Sequence, residues 1–131
     1  MSSDRPPEFF FDRNLGKTSA RLLREHGWTV HLIADFYPDD ASDIGDEEWI
    51  FEGCRRGWIL LRKDKKIRYR TKDLAALRDG HLFCLASGNL DLQEMAQRFI
   101  AAGPAILRAS RTTGVGFGHV YEGGRIRRMW P

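Results

Sequence analysis

Short apolar runs alternate with amphipathic stretches along most of this chain. Continuous apolar runs of this length, bounded by proline, glycine or polar residues, are typical of strands that are buried on both faces. The pattern predicts four such strands: Glu8 to Asp12 (EFFFD), Trp28 to Ala34 (WTVHLIA), Trp58 to Leu61 (WILL) and His81 to Ala86 (HLFCLA).

Helical spacing of apolar residues fills the segments between these runs. It predicts helices over Asn14 to His26, from Asp46-Glu47-Glu48 to a stop at Gly57, over Lys72 to Arg78, and over Asp91 to Leu107. The second of these has acids in its first turn and arginines in its last, which suits the helix dipole at both ends. Pro104 lies inside the last helix and is expected to kink or shorten it.

The end of the chain has a different pattern. Gly116 to Tyr121 and Arg125 to Trp130 flank Glu122-Gly123-Gly124, which predicts an antiparallel hairpin with a three-residue link. Strands that alternate with helices predict an α/β fold with a mostly parallel sheet and helices on both faces. The hairpin extends one edge of that sheet, and the 131 residues suffice for one domain with its own core.

Composition excludes several classes of protein. Hydrophobic residues make up 42% of the chain and charged residues 30%, close to the globular average, so disorder and low complexity are excluded. No apolar run approaches the roughly 18 residues of a membrane span, and we expect a cytoplasmic protein. Cys54 and Cys84 lie in no zinc-binding pattern and are expected to be buried, reduced thiols.

Charge is distributed unevenly along the chain. Residues 1 to 60 contain 12 acids and 7 bases, whereas residues 61 to 131 contain 6 acids and 14 bases. Eight acids fall between Asp35 and Glu52 without any Lys or Arg, and seven bases fall between Arg62 and Lys72 around Asp64 alone. The first segment suits cations and the second suits phosphates. The simpler explanation is that the two segments are solvated faces of opposite charge with no ligand. The position of these charges in the fold must decide between this explanation and a binding site.

Three acids occupy positions that a parallel sheet brings to one edge. Asp12 follows the first strand, Asp46 opens the second helix, and Asp64 follows the third strand. Carboxylates that meet closely repel one another unless a cation lies between them, and Mg²⁺ and Mn²⁺ prefer oxygen ligands. The sequence therefore predicts a metal site suited to hydrolysis of a phosphodiester. Taken singly, each acid is more often a turn former or a helix cap, and Asp46 could cap its own helix, as Asn14 could cap the first one.

Basic residues follow the third strand at the same edge. Lys63, Lys65, Lys66, Arg68 and Arg70 could hold a phosphate backbone beside the predicted metal site. Nucleic acid is therefore the expected substrate.

Four segments resemble the PIN-like nucleases, in particular the small bacterial toxins of the VapC type. They are FFFDRNLG (residues 9–16), GDEEWI (45–50), GWILLRKDKKIR (57–68) and SGNL (87–90), and the hairpin that ends in MWP is also similar. The resemblance runs in the correct order over most of residues 1–131 and implies a single PIN-like domain. The implied fold has three layers, α/β/α, around a mostly parallel sheet.

The resemblance implies a function and a set of site residues. The function is that of an Mg²⁺- or Mn²⁺-dependent endoribonuclease, the toxin of a type II toxin–antitoxin pair, with a cognate antitoxin and a possible homodimer as partners. It implies metal binding by Asp12, Asp46 and Asp64, with Glu47 as an additional ligand or base. Lys17, Lys63 and Lys66 are the expected phosphate contacts.

Departures from the family pattern leave alternatives open. The chain lacks a clear separate acid on an intervening helix, where Asp43, Glu47 or Asn89 could serve. One alternative is therefore a catalytically degenerate module that binds nucleic acid or a partner. Another is a phosphoacceptor receiver domain with Asp64 as the acceptor. Two features argue against it: Asp12 is a single acid where receiver domains have a pair, and the chain ends in a hairpin and not in a helix.

Overall fold

The computed structural model describes residues 7–12, 15–37, 45–63, 75–78, 80–86, 90–111 and 116–130, without the side chains of Asp46 and Trp130. Nine elements are defined in this part of the chain, besides a 3₁₀ turn over Ile33–Asp35 that directly follows β2. They are β1 (Glu8–Phe11), α1 (Gly16–Glu25), β2 (Thr29–Leu32), α2 (Asp46–Arg55), β3 (Ile59–Lys63), β4 (His81–Leu85), α3 (Leu92–Arg111), β5 (Phe117–Tyr121) and β6 (Arg125–Trp130).

The strands form one six-stranded sheet in the order β2-β1-β3-β4-β5-β6. The first five strands are parallel, and β6 pairs antiparallel with β5. The predicted mostly parallel sheet and terminal hairpin are thus confirmed. Because β2 and β3 lie on opposite sides of β1, the chain reverses its direction of winding between β1 and β3. Open α/β sheets bind their ligands at such a switch point, beyond the carboxyl ends of the strands.

Helices cover both faces of the sheet, which makes three layers. On one face, which we call the α1–α3 face, Phe9, Phe11 and Leu61 pack against apolar residues of α1 and α3 such as Leu23 and Phe99. On the other, the α2 face, strand residues pack against α2 and a helical turn over residues 75–77. The most deeply buried large residues of that core are Phe10, Trp49, Ile50, Leu60, Leu77 and Leu82. Consecutive residues of a strand point to opposite faces, so this alternation also fixes where each polar residue at a strand end lies.

The ends of the second strand and of the last helix differ from the predicted ones. The second strand ends at Leu32, where its pairing with Phe11 of β1 ends, and Ile33 begins the 3₁₀ turn. Pro104 does not shorten its helix, and α3 continues to Arg111. The missing backbone N–H of Pro104 costs about 3 kcal/mol in a helix. Buried residues on both sides of it, Ala102 and Ile106 among them, hold the helix against the sheet and offset that cost.

Neither thiol is in a disulfide. Cys84 is fully buried in β4, as expected, whereas Cys54 at the end of α2 is only partly buried. Burial raises the pKa of the Cys54 thiol to about 12, so it stays protonated and unreactive at neutral pH. No helix within the described ranges is long and apolar enough to cross a membrane.

Candidate active site

Asp12 lies at the carboxyl end of β1, beside the switch point of the sheet. Its backbone N–H donates to the carbonyl oxygen of Leu61 at 3.1 Å, which continues the pairing of β1 with β3. Its own carbonyl oxygen accepts from the N–H of Leu15 at 3.0 Å and begins the turn into α1. Backbone contacts on both sides therefore fix the position of this residue, whose side chain is only 10% exposed.

Arg62 is the cation nearest to Asp12 among the ion pairs of the described residues. The Nε of Arg62 is 3.7 Å from Oδ2 of Asp12, and both side chains are largely shielded from solvent. Since Phe11 pairs with Leu61, Asp12 and Arg62 occupy the next position along the two strands. Shielding strengthens this interaction relative to a surface ion pair. Arg62 was not among the site residues predicted from the sequence, because its contact depends on how the strands pair.

A small pocket opens beside Asp12. Its volume is about 110 Å³, and among the described residues that line it, Asp12 and Lys17 carry charge. Gly16 also lines the pocket, at a φ of +80°, a conformation that side chains rarely adopt. This glycine lets the chain turn sharply from β1 into α1, so Lys17 in the first turn of α1 lines the same pocket as Asp12. Lys17 is exposed and its ammonium group is available to an anion.

The second predicted acid lies at the start of α2. Gly45, in an extended conformation, is the N-cap of this helix, and Asp46 is its first helical residue. The reading of Asp46 as the cap is therefore wrong. The side chain of Asp46 lies outside the described residues, and Glu47 in the same turn is exposed. Since α2 connects β2 to β3, its first turn lies toward the carboxyl edge of the sheet, where Asp12 is.

The remaining predicted residues divide into two groups. Lys63 is the last residue of β3 and is half-buried, and alternation from Leu61 puts it on the α1–α3 face, opposite to Arg62. The others lie outside the described residues: Asp64, Lys65, Lys66, Arg68 and Arg70, together with Asn14, Asp43 and Asn89. Within the described ranges, no group of three or more His, Cys, Asp or Glu side chains could hold a metal ion. The predicted cluster of three acids is thus represented here by Asp12 alone.

A larger cavity lies at the opposite edge of the sheet. It has a volume of about 630 Å³ and is lined by the starts of β1, β3 and β4 and by the last turns of α2 and α3. Four arginines face it, namely Arg55, Arg56, Arg78 and Arg111. Ligands of open α/β sheets bind at the carboxyl edge, so we place the candidate site at the smaller pocket.

Comparison with known proteins agrees with this geometry. Residues 7–87 match the family described as "PIN like domain". Over 109 residues, the chain is 32% identical to a Mycobacterium tuberculosis protein named "Putative ribonuclease VapC45", with coverage of 80% of this chain and 79% of the relative. No solved structure gives a significant match. The chain belongs to the PIN-like domain family and is of the VapC type, as its sequence motifs indicated.

Proposed function

We propose that this protein is a metal-dependent endoribonuclease that hydrolyses RNA phosphodiesters, and that it is the toxin of a type II toxin–antitoxin pair in the cytoplasm. The observation that carries the proposal is Asp12. A carboxylate that is shielded from solvent stands at the switch point of the sheet and shares a pocket with a lysine. Similarity to a protein named as a ribonuclease supports the reaction class.

The donor chemistry of Asp12 fits a hard divalent cation. A carboxylate oxygen is a ligand that Mg²⁺ and Mn²⁺ prefer, and the family uses such ions. We propose Asp46 and Asp64 as the two further ligands, since one opens α2 and the other directly follows β3 along the chain. When bound, the metal would lower the pKa of a coordinated water and neutralise charge on the leaving oxygen.

The protein's own residues would position the RNA. Lys17 lies in the first turn of α1 beside Asp12, where its ammonium can bind a phosphate next to the one that is cleaved. Lys63 and Lys66 would hold the backbone further along. Glu47 is exposed in the first turn of α2, where it can orient or deprotonate the attacking water.

The degenerate binding module is the second candidate, and Arg62 is the observation that favours it. A guanidinium within 3.7 Å of the Asp12 carboxylate already offsets its charge, so the carboxylate can be buried without a metal. RNA binding would then persist without cleavage.

One cleavage assay separates the two candidates. A mixed RNA pool is incubated with wild type and with Asp64→Asn protein, in Mg²⁺, in Mn²⁺ and in EDTA. The nuclease predicts cleavage that requires metal and is lost in the variant. Equal cleavage by both proteins indicates a contaminating nuclease, and the absence of cleavage under every condition favours the binding module.

A further inference from the structure

The strand pairing aligns five residues in one row across the sheet. Arg62 pairs with Cys84, Cys84 with His119, and His119 with Arg127, while Asp12 is level with Arg62 on the neighbouring strand. The row therefore begins at the candidate active site on β1 and ends on β6. With strands about 4.8 Å apart, four steps across the sheet span about 19 Å.

All five positions of this row belong to the α2 face. Phe10, Leu60 and Phe117 point into the core on that face, and alternation places Asp12, Arg62 and His119 on the same side two residues further along each strand. The 3.7 Å contact between Asp12 and Arg62 agrees with this assignment. Cys84 in the middle of the row is fully buried. A ligand could therefore contact the two ends of the row but not its centre.

The far end of the row carries aromatic rings beside arginines. Ring centroids along β5 are 5.2 Å apart for Phe117 and His119, and 6.4 Å apart for His119 and Tyr121. Tyr121 is partly exposed, and its partner on β6 is the exposed Arg125. Arg127, also exposed, is the partner of His119. Exposed guanidinium groups next to a partly open aromatic ring are the elements from which single-stranded nucleic acid sites are built.

Protection of an edge strand is the simpler explanation for the arginines of β6. Charged side chains on an edge strand prevent it from pairing with another chain, and Arg128 would serve that purpose equally well. Arg128 pairs with Gly118, which faces Phe83 of the α1–α3 core, so Arg128 lies on the opposite face from the row. Edge protection does not require that Tyr121 and two arginines lie on the same face and at the same edge as Asp12.

We propose that Tyr121, Arg125 and Arg127 form a second contact site for the single-stranded RNA that is cleaved at Asp12. Tyr121 stacks on a base, and the two guanidinium groups bind phosphates of the same strand. This inference rests on the proposed ribonuclease function and adds a substrate class, because only unpaired RNA can present a base to Tyr121. The two sites fix the path of the RNA along the carboxyl edge of the sheet.

Binding without cleavage tests this site directly. A fluorescein-labelled oligouridine of about 12 nucleotides is titrated in EDTA against wild type, Arg125→Gln/Arg127→Gln and the matched control Arg128→Gln. We expect the double variant to bind about tenfold more weakly and the slope of log Kd against log salt to fall by about 1.4, since each phosphate contact to a single strand contributes about 0.7. Arg128→Gln should retain its affinity apart from a small uniform effect of net charge.

Stacking by Tyr121 has its own pair of variants. Tyr121→Phe keeps the ring and should bind the oligouridine as wild type does, whereas Tyr121→Leu keeps most of the volume without the ring and should weaken binding several-fold. Thermal unfolding of each variant shows whether the fold is intact. If Tyr121→Leu is folded and binds normally, the stacking part of the proposal is wrong.

Three other outcomes would overturn the proposal. Equal weakening by Arg128→Gln, corrected for the number of charges removed, would show that only net charge matters. A polyglutamate peptide could bind wild type as tightly as the RNA does and fail to bind the double variant. That result would make β6 a site for an acidic protein. Unchanged RNA binding by the double variant, with metal-dependent cleavage intact, would refute the second site and leave the ribonuclease standing.

Discussion

The two edges of the sheet both carry charged side chains, but they differ in what those charges contact. At the amino edge, beside the cavity of about 630 Å³, Arg55 and Arg56 both bind Glu52 at 2.5 Å. Arg56 also lies over the ring of Trp58, 5.1 Å from its centroid. At the carboxyl edge, the much smaller pocket holds Asp12 and Lys17.

This difference is the reason why we place the candidate active site at the smaller of these two cavities. The arginines at the ends of α2 and α3 lie where helix carbonyl groups accumulate negative charge, and cations there stabilise the helices. Arg55 and Arg56 also have Glu52 as a partner already present in the fold. The carboxyl edge instead presents a shielded acid and an exposed lysine at the switch point of the sheet, an arrangement that suits a metal and a phosphate.

The largest expected effect belongs to Asp12. Asp12→Asn should lower the rate of RNA cleavage by about 10³-fold, equivalent to about 4 kcal/mol, because it removes a proposed metal ligand. The melting temperature should change little, since the amide keeps the shape of the side chain and the contact with Arg62, at 3.7 Å, is long for an ion pair. Arg78→Gln, a loss of one charge at the amino edge, is the matched control and should cleave normally. Unfolding of Asp12→Asn would assign the carboxylate a structural role.

Gly80→Ala should destabilise the amino edge without affecting the chemistry. A Cβ at residue 80 would meet both Sγ and Cβ of Cys54, so the start of β4 or the end of α2 must shift. Overpacking of this kind costs about 1–3 kcal/mol. Chemical denaturation measures the loss, and cleavage per folded molecule should remain at the wild-type level. A fall in cleavage per folded molecule would connect the amino edge to the active site.

Lys17→Gln should lower kcat/KM for RNA cleavage several-fold. The lysine is exposed beside Asp12, and one phosphate contact to a single strand contributes about 0.7 to the salt dependence of binding. We expect a higher KM, a reduced salt slope and a nearly unchanged kcat. Arg21→Gln, an exposed position one turn further along α1, is the control. Equal effects of the two substitutions would refute a specific role for Lys17.

Glu52→Gln should have the smallest effect and should depend on pH. Hydrogen bonds from Arg55 and Arg56 hold the pKa of Glu52 below its ordinary value. A carboxylate with a lowered pKa in the folded state contributes stability above its unfolded pKa, and this contribution is lost as the pH falls through the folded value. The variant should be less stable by at most about 1 kcal/mol at pH 7 and equal to wild type in strong acid. A constant difference across pH would exclude this ion-pair mechanism.

Much of the fold was predictable from the sequence, because buried parallel strands are continuous apolar runs and the hairpin has a glycine-rich link. The extent of α3 was not, since packing around Pro104 outweighs the local preference. Asp12 was proposed as a site residue because it directly follows an apolar run. Arg62 was not predicted as a site residue, since only the pairing and alternation of β3 show that it shares a face with Asp12.

Binding of Mn²⁺ in the absence of RNA tests the central claim most directly. Free Mn²⁺ is measured by electron paramagnetic resonance during titration of wild type, Asp12→Asn and Arg78→Gln. The account predicts that wild type and Arg78→Gln bind the ion equally and that Asp12→Asn binds it at least about tenfold more weakly, a loss of about 1.4 kcal/mol. Equal binding by all three proteins would contradict a metal site at the carboxyl edge.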